Sequence, residues 1–282
     1  MDSSSFADAF DTTTDAALEW VSDNGGFIFD FFRSVLEGLF DGVLWALNFA
    51  PFYVVAIVTA VLGWRVVSAW FGPFAGVALV FCAIIGLWPE TMSTLALVLT
   101  ATFLALLVGI PAGVIAGFVP ALDKALEPVL DLIQTLPPYI YLLPAIALLG
   151  YGPATALVAT IIVAIPPAFR LTSLGIRMTP NEFVELGHAT GITGLQMFCK
   201  IRLPFAMPSI MAGINQSLMM AFGMVVIAGI VGSGGLGETI YGAIRTLDIA
   251  KSINAAIAIV VLTMVLDRLA QGAARASYGA KT

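Results

Sequence analysis

Residues 185–204 read ELGHATGITGLQMFCKIRLP, the one long polar insertion between apolar runs in a chain otherwise dominated by membrane-type sequence. Just upstream, Thr179, Pro180, Asn181 and Glu182 spell an N-cap, a proline at the first helical position and a capping-box glutamate, so a helix is expected to begin at Pro180. Gly191 is placed to end that helix in a left-handed turn. Thr193, Gly194, Leu195 and Gln196 then repeat the capping-box pattern for a second short helix, expected to end before Pro204. The insertion reads as helix, glycine turn, helix.

Composition decides the solvent around this insertion. The chain has 282 residues, 60% of them hydrophobic and 11% charged, and its mean hydropathy of +1.00 is foreign to a soluble domain. The bilayer is the medium in which it folds. The formal net charge is -6, but the excess acid lies before residue 42, so it describes the start of the chain and not a surface for basic partners. Nucleic-acid binding finds no support. Cys82, in an apolar run, and Cys199, in the polar insertion, are too few for a disulfide framework and lack metal-ligand spacing. Asp2, Asp8, Asp11, Asp15 and Glu19 precede any basic side chain, the reverse of a secretory signal. No cleavable signal is expected, and residues 1–26 are read as an acidic, flexible tail outside the membrane.

From 27 to 48, Asp30, Arg33, Glu37 and Asp41 recur at steps of three and four, a narrow polar stripe on an otherwise apolar helix. The pattern predicts an amphipathic helix lying in the membrane surface and bracing the spans; the competing reading makes its second half part of the first span. Apolar runs at 50–69, 73–88, 92–119, 136–152, 153–171, 205–231 and 253–270 predict about seven spans, taking ~17–25 residues as the requirement. Pro111, Pro137, Pro138, Pro144, Pro166 and Pro167 lie within or at the ends of these runs, so kinked or broken helices are expected. Of 12 basic residues only Arg33, Arg245 and Lys251 fall outside when the polar insertion is placed inside the cell. That orientation puts the N-terminus outside and the C-terminus in the cytoplasm.

Within the insertion, Glu185, the small Gly187, Gly191, Ile201, Leu203 and Pro204 stand at the spacing of the "EAA" loop, and the chain here resembles the permeases of ABC importers. Leu186 and Gly187 occupy the places usually held by two alanines. Further stretches narrow the resemblance: LDLIQTLP at 130–137, YLLPA at 141–145 and LPFAMPSIMAGINQ at 203–216 are similar to permeases that import glycine betaine, proline betaine and choline. The resemblance implies an all-α integral membrane protein with the type I ABC importer transmembrane fold. It divides the chain into the tail (1–26), the interfacial helix (27–48) and two accessory spans (50–88). A five-span core (91–271) follows, with the cytoplasmic coupling loop at 179–204, and then a cytoplasmic tail (272–282).

The same resemblance implies a bacterial inner-membrane importer in which two copies of this non-catalytic subunit pair with each other. Two cytoplasmic ATPase subunits, which carry ATP and Mg, and an extracytoplasmic substrate-binding protein complete it, in contact with membrane lipid. No cofactor is bound directly by this chain. Glycine betaine leads as the solute, with choline, carnitine and trimethylamine N-oxide as alternatives. An ion-coupled secondary transporter is the competing class, disfavoured because spans three to six carry no ionisable residue near their middle. An integral-membrane enzyme would need His pairs, acid clusters or an activated nucleophile; His188, the sole histidine, has no second ligand nearby.

Other positions invite closer reading. GSGGLGET at 232–239 nearly spells a phosphate-binding loop, but Glu238 stands where the lysine belongs and would repel phosphate. Gly232, Gly234, Gly235 and Gly237 are instead expected to form a tight external turn contributing to the outer gate; a purely structural turn is the alternative. Asn215 and Gln216, with Ser217, form the most polar cluster within any span and are nominated as pore-lining or dimer-contact residues, against helix-to-helix contact. Tyr139, Tyr141 and Phe169 offer aromatic faces to a quaternary ammonium in transit, against simple interface anchoring or packing.

Overall fold

The computed structural model describes residues 3–279, and helices joined by short turns account for almost all of them. Helix α1 runs from Ser3 to Phe49. The backbone is therefore helical through most of the stretch whose composition suggests a flexible tail, because good helix formers such as the alanines between 7 and 17 extend an existing helix without a new nucleation step. Residues 1–2 and 280–282, the ends of the two expected tails, lie outside the described residues. Pro51 terminates α1, since the residue before a proline is pushed out of the α region. The Asn24–Phe49 segment then meets α2 (Phe52–Val66) at 92°.

Helix α3 (Phe71–Ile84) folds back on α2 so tightly that a Cβ on Gly72 would lie 2.5 Å from the Ala60 carbonyl oxygen. Next come α4 (Trp88–Phe118) and α5 (Pro120–Thr135), then a break at Leu136 and Pro137 and a 3-10 turn at Pro138–Tyr141. Helix α6 (Leu142–Leu149) leaves the break at 104° to α5. The chain continues through α7 (Pro153–Arg177), α8 (Asn181–Ala189), α9 (Gly194–Met197), a π-helical turn at Phe198–Arg202 and α10 (Leu203–Ala228). A 3-10 turn at Gly229–Val231, α11 (Gly235–Thr246) and α12 (Ile249–Gly279) complete it.

The seven apolar runs do not each form one straight helix. Among the described residues four helical stretches are long and apolar enough to cross a bilayer: Trp88–Phe118, Pro153–Arg177, Gly194–Val231 and Ile249–Ala273. Counting each bent pair as one crossing gives up to six. Helices α2 and α3 have 15 and 14 residues, short of the ~20 a single crossing takes. An apolar run reports its length but not its bends, which come from Pro51 and from Pro137 and Pro138.

The core is a parallel pair, α4 and α7, crossed by α10 running the other way. Gly109, Gly113 and Gly117 recur every four residues on α4 and meet Ala168, Phe169, Thr172 and Ile176 at matching heights on α7; a Cβ on Gly113 would stand 2.5 Å from the Phe169 carbonyl oxygen. Hydrocarbon supplies no hydrophobic drive between helices, so such small residues, which let backbones approach, are the source of the pairing. Gly175 of α7 packs against Ala206 and Ser209, and Gly213 of α10 against the Pro167 carbonyl, fixing the antiparallel contact. Leu36 and Phe40 of α1 join the main core with Met92, Leu97, Leu157 and Met224, so α1 braces the bundle while Asp30 and Asp41 stay exposed.

Candidate functional site: the hairpin between α7 and α10

The ends of α4 and α7 and the start of α10 share one face of the bundle, and the polar insertion projects from it. Thr179 is buried and donates its hydroxyl to the Ile176 carbonyl at 3.0 Å. It therefore finishes α7 and does not cap α8, which begins at Asn181 after an extended Pro180. The expected capping box at 179–182 is absent because the hydroxyl is nearer to a free carbonyl at the C-terminus behind it than to the amides ahead.

The remainder of the local pattern forms. Gly191 adopts φ +69°, and its N–H donates to the His188 carbonyl at 3.1 Å. Thr193 and Gln196 make both halves of a capping box: the Gln196 N–H donates to the Thr193 hydroxyl at 3.3 Å and the Thr193 N–H to the Gln196 amide oxygen at 2.9 Å. Glu185 is exposed, whereas Gly187 is buried where α8 crosses the start of the next helix. A Cβ there would lie 2.6 Å from Met197 Cε, 2.9 Å from Ile192 Cδ1 and 3.0 Å from Ile201 Cδ1. Ile201 and Leu203 are half-buried, and Pro204 is exposed.

The second helix does not stop before Pro204. Residues Gly194–Val231 form one continuous helix of 38 residues. The wide turn at Phe198–Arg202 explains how: the Leu203 N–H donates to Phe198, five residues back, so the donor that Pro204 lacks falls at the seam between π and α registers. Three further contacts key the hairpin to the bundle. The Arg202 guanidinium sits 4.8 Å from the Phe118 ring centroid at the end of α4. The Phe118 and Phe198 rings are 6.0 Å apart, and Phe183 of α8 stacks 4.8 Å from Phe205 of α10. Outward, Leu195 at 73% and Leu186 at 58% exposure present an apolar tip.

Sequence reading missed the clamp behind this hairpin. Helix α5 carries Asp123, Glu127 and Asp131 at steps of four, one face toward α7. Asp123 accepts from Ser173 Oγ at 2.8 Å and from Arg177 at 2.7 Å, and Asp131 pairs with Arg170. The acids at 123, 127 and 131 and the arginines at 170 and 177 were a legible periodic signal. The same packing buries Phe169, at 3% exposure, under Leu130 and Ala116. Its ring packs there at the wall of a cavity of about 210 Å³ that Asp123, Glu127 and Arg177 also line.

The other pathway residues are scattered. Tyr139 is exposed on the 3-10 turn, while the Tyr141 hydroxyl donates to the Ile133 carbonyl at 3.0 Å and the ring lines an apolar cavity of about 320 Å³ with Phe29 and Phe32. Asn215 lines a separate cavity of about 370 Å³ between α10 and α12, with its side-chain oxygen buried and unpartnered. Gln216 is exposed and Ser217 buried. No group of His, Cys, Asp and Glu suited to a metal ion occurs among the described residues.

At the opposite end of the bundle the glycine segment makes a turn followed by a helix. Gly232, Gly234 and Gly235 have φ of +70°, +77° and +78°. The Glu238 carboxylate accepts from the Gly234 N–H at 2.8 Å, occupying the N-terminus of α11 where a phosphate would have to sit. Thr94 of α4 accepts from the buried Leu236 N–H at 2.8 Å. Gly237 lies directly on the Val225 carbonyl, leaving no room for a side chain.

A bundle with this core, a capped hairpin running unbroken into α10 and a second, glycine-locked turn at its other end is the membrane-spanning subunit of an ABC importer of type I architecture. The chain belongs to the family described as binding-protein-dependent transport system inner membrane component, whose model matches residues 109–276. It is 37% identical over 257 residues to the glycine betaine transport system permease protein OpuAB of Bacillus subtilis (strain 168), covering 91% of each chain. With the glycine betaine/proline betaine transport system permease protein ProW of Escherichia coli (strain K12) it shares 38% over 277 residues, 96% of this chain and 78% of that one. The glycine betaine/carnitine transport permease protein GbuB of Listeria monocytogenes is 37% identical over 253 residues, 86% of this chain and 88% of that one. Among solved structures, the inward-facing MetNI methionine ABC transporter superposes with a TM-score of 0.59 at 23% identity, over 67% of this chain and 95% of that one, a likeness of fold.

Proposed function

We propose that this chain conducts glycine betaine, or a close methylated relative, across a bacterial inner membrane, driven by ATP hydrolysed on separate cytoplasmic subunits. The observation that carries the reading is the unbroken helix from Gly194 to Val231, capped at its free end by Thr193 and Gln196. A push on α9 reaches the bundle without crossing a flexible joint. Gly187 and Ile201 couple α8 to that lever, Glu185 and the exposed Leu186 and Leu195 face the ATPase, Gly191 sets the turn, and Leu203 and Pro204 lead into the membrane. Two copies of the chain enclose the path, a binding protein delivers solute at the glycine turn 232–237, and lipid surrounds the rest. Of the basic residues, Lys124, Arg170, Arg177, Lys200 and Arg202 gather at the hairpin end, which supports a cytoplasmic hairpin, an external N-terminus and a cytoplasmic C-terminus.

Proteoliposomes holding this subunit, its ATPase and its binding protein test the proposal with a panel of glycine betaine, carnitine, choline and trimethylamine N-oxide. ATP-dependent glycine betaine uptake is expected. Uptake without the ATPase, or of none of the panel, contradicts it. Carnitine is the second solute to watch, since the similar GbuB carries that word in its name.

A further inference from the structure

The cavity between α10 and α12 brings charged, polar and apolar side chains together. It opens at the hairpin end of the bundle, and its volume of about 370 Å³ is at the small end of the ~300–1,000 Å³ usual for ligand pockets. Arg275 lines one side and makes no ion pair among the described residues. Asn215 adds an amide whose oxygen is buried without a partner, so the end it offers the cavity is its N–H2 group, a donor. Gln271 spends its amide N–H groups on both carboxylate oxygens of Asp267, at 2.9 Å each, so the polar end it has left is an oxygen. Met211 and Pro208 supply apolar wall between these groups.

A guanidinium and an amide donor beside an amide oxygen and an apolar wall specify a ligand with two unlike ends. An anion alone would satisfy Arg275 and the Asn215 amide and leave the Gln271 oxygen unmet; a cation alone would meet that oxygen and face the repulsion of Arg275. We propose that this cavity binds a small zwitterion at the cytoplasmic end of the path, its carboxylate on Arg275 and the Asn215 amide and its methylated ammonium against the Gln271 oxygen and the Met211 wall. A quaternary ammonium has no N–H, so it asks of the wall only partial negative charge and dispersion contacts, which an amide oxygen and a thioether provide. The site rests on the reading of the chain as a methylated-amine permease. It adds that selection between zwitterions and choline-like cations lies partly in this subunit.

The test uses the purified full-length chain in uncharged maltoside micelles with radiolabelled glycine betaine and, separately, radiolabelled choline. Saturable glycine betaine binding is expected, with choline at least tenfold weaker. Arg275→Gln should weaken glycine betaine binding about tenfold or more and strengthen choline binding, as loss of one charge-assisted contact and of one like charge implies. Arg275→Lys should restore most of the affinity, and Asn215→Ala should weaken glycine betaine and not choline. Equal binding by wild type and Arg275→Gln, or no saturable binding, overturns the site. Stoichiometric displacement of glycine betaine by phosphatidylglycerol also overturns it, marking the cavity as a lipid headgroup site. Uptake by the complete importer separates the two levels: intact wild-type glycine betaine uptake with an unmoved betaine-to-choline ratio in Arg275→Gln removes the site alone, whereas failure of wild type to import any methylated amine removes the functional reading.

Discussion

Gly187 and Met197 are in such close contact that any side chain at 187 has to displace the Met197 methyl, 2.6 Å from the place a Cβ would take. The three atoms around that point are ends of flexible side chains, so a single methyl fits after a small shift. Gly187→Ala is therefore expected to keep uptake and ATPase activity. Gly187→Leu should lever α8 off the helix, at an overpacking cost of about 1–3 kcal/mol, and leave ATP hydrolysis running with little uptake. Paired ATPase and uptake rates in proteoliposomes check this.

Gly191 poses the opposite problem. A Cβ there meets nothing within 4 Å, yet φ is +69°, where L-residues are strained by about 1–2 kcal/mol. Asparagine tolerates that conformation and leucine does not. Gly191→Asn should transport nearly normally, while Gly191→Leu should insert, assemble and hydrolyse ATP but lose uptake. Normal uptake by the leucine variant contradicts the assigned turn.

Asp123 holds α5 to α7 through Ser173 and Arg177. Ser173 is buried, so its hydrogen bond to the charged acid contributes about 1.5–3 kcal/mol, while the pair with the exposed Arg177 adds about 0.2–1 kcal/mol. Asp123→Leu is expected to lower the unfolding midpoint in micelles and to expose 120–135 to hydrogen exchange. The double variant Asp123→Arg with Arg177→Asp should recover part of the loss. Full additivity of the two single changes would show that the pair does not interact.

Thr94 satisfies the buried Leu236 N–H across a separation of 142 residues. Thr94→Val keeps the shape and removes the acceptor, leaving a buried donor that costs about 1–3 kcal/mol. Faster hydrogen exchange confined to the glycine turn 232–237 is expected, with slower uptake if that turn serves as the outer gate. Thr94→Ser, which keeps the hydroxyl, should behave as wild type.

These contacts also mark what can be read from sequence. Gly191 and the Thr193–Gln196 box were legible because each is a local pattern whose partners lie within four residues. Thr179 was misread because its hydroxyl had two local choices, and the terminus of α7 won. Pro204 reads as a stop in the sequence because a π turn leaves no mark in composition, although that turn is what lets the helix continue. The α4–α7 seam shows as glycines every fourth residue, but which helix they face depends on tertiary register. The same holds for the Asp123 clamp, whose acids and arginines are each visible while their pairing is not. Span counting failed where Pro51 and Pro137 bend helices that hydropathy treats as straight.

Cys199 offers the most direct measurement of the central claim that this hairpin is a cytoplasmic lever gripped by an ATPase. It is exposed on the π turn, whereas Cys82 is buried. A membrane-impermeant maleimide should modify the native chain in inside-out vesicles and not in right-side-out ones, and bound ATPase should slow the reaction. Modification from the outside, or a rate indifferent to the ATPase, would contradict the account.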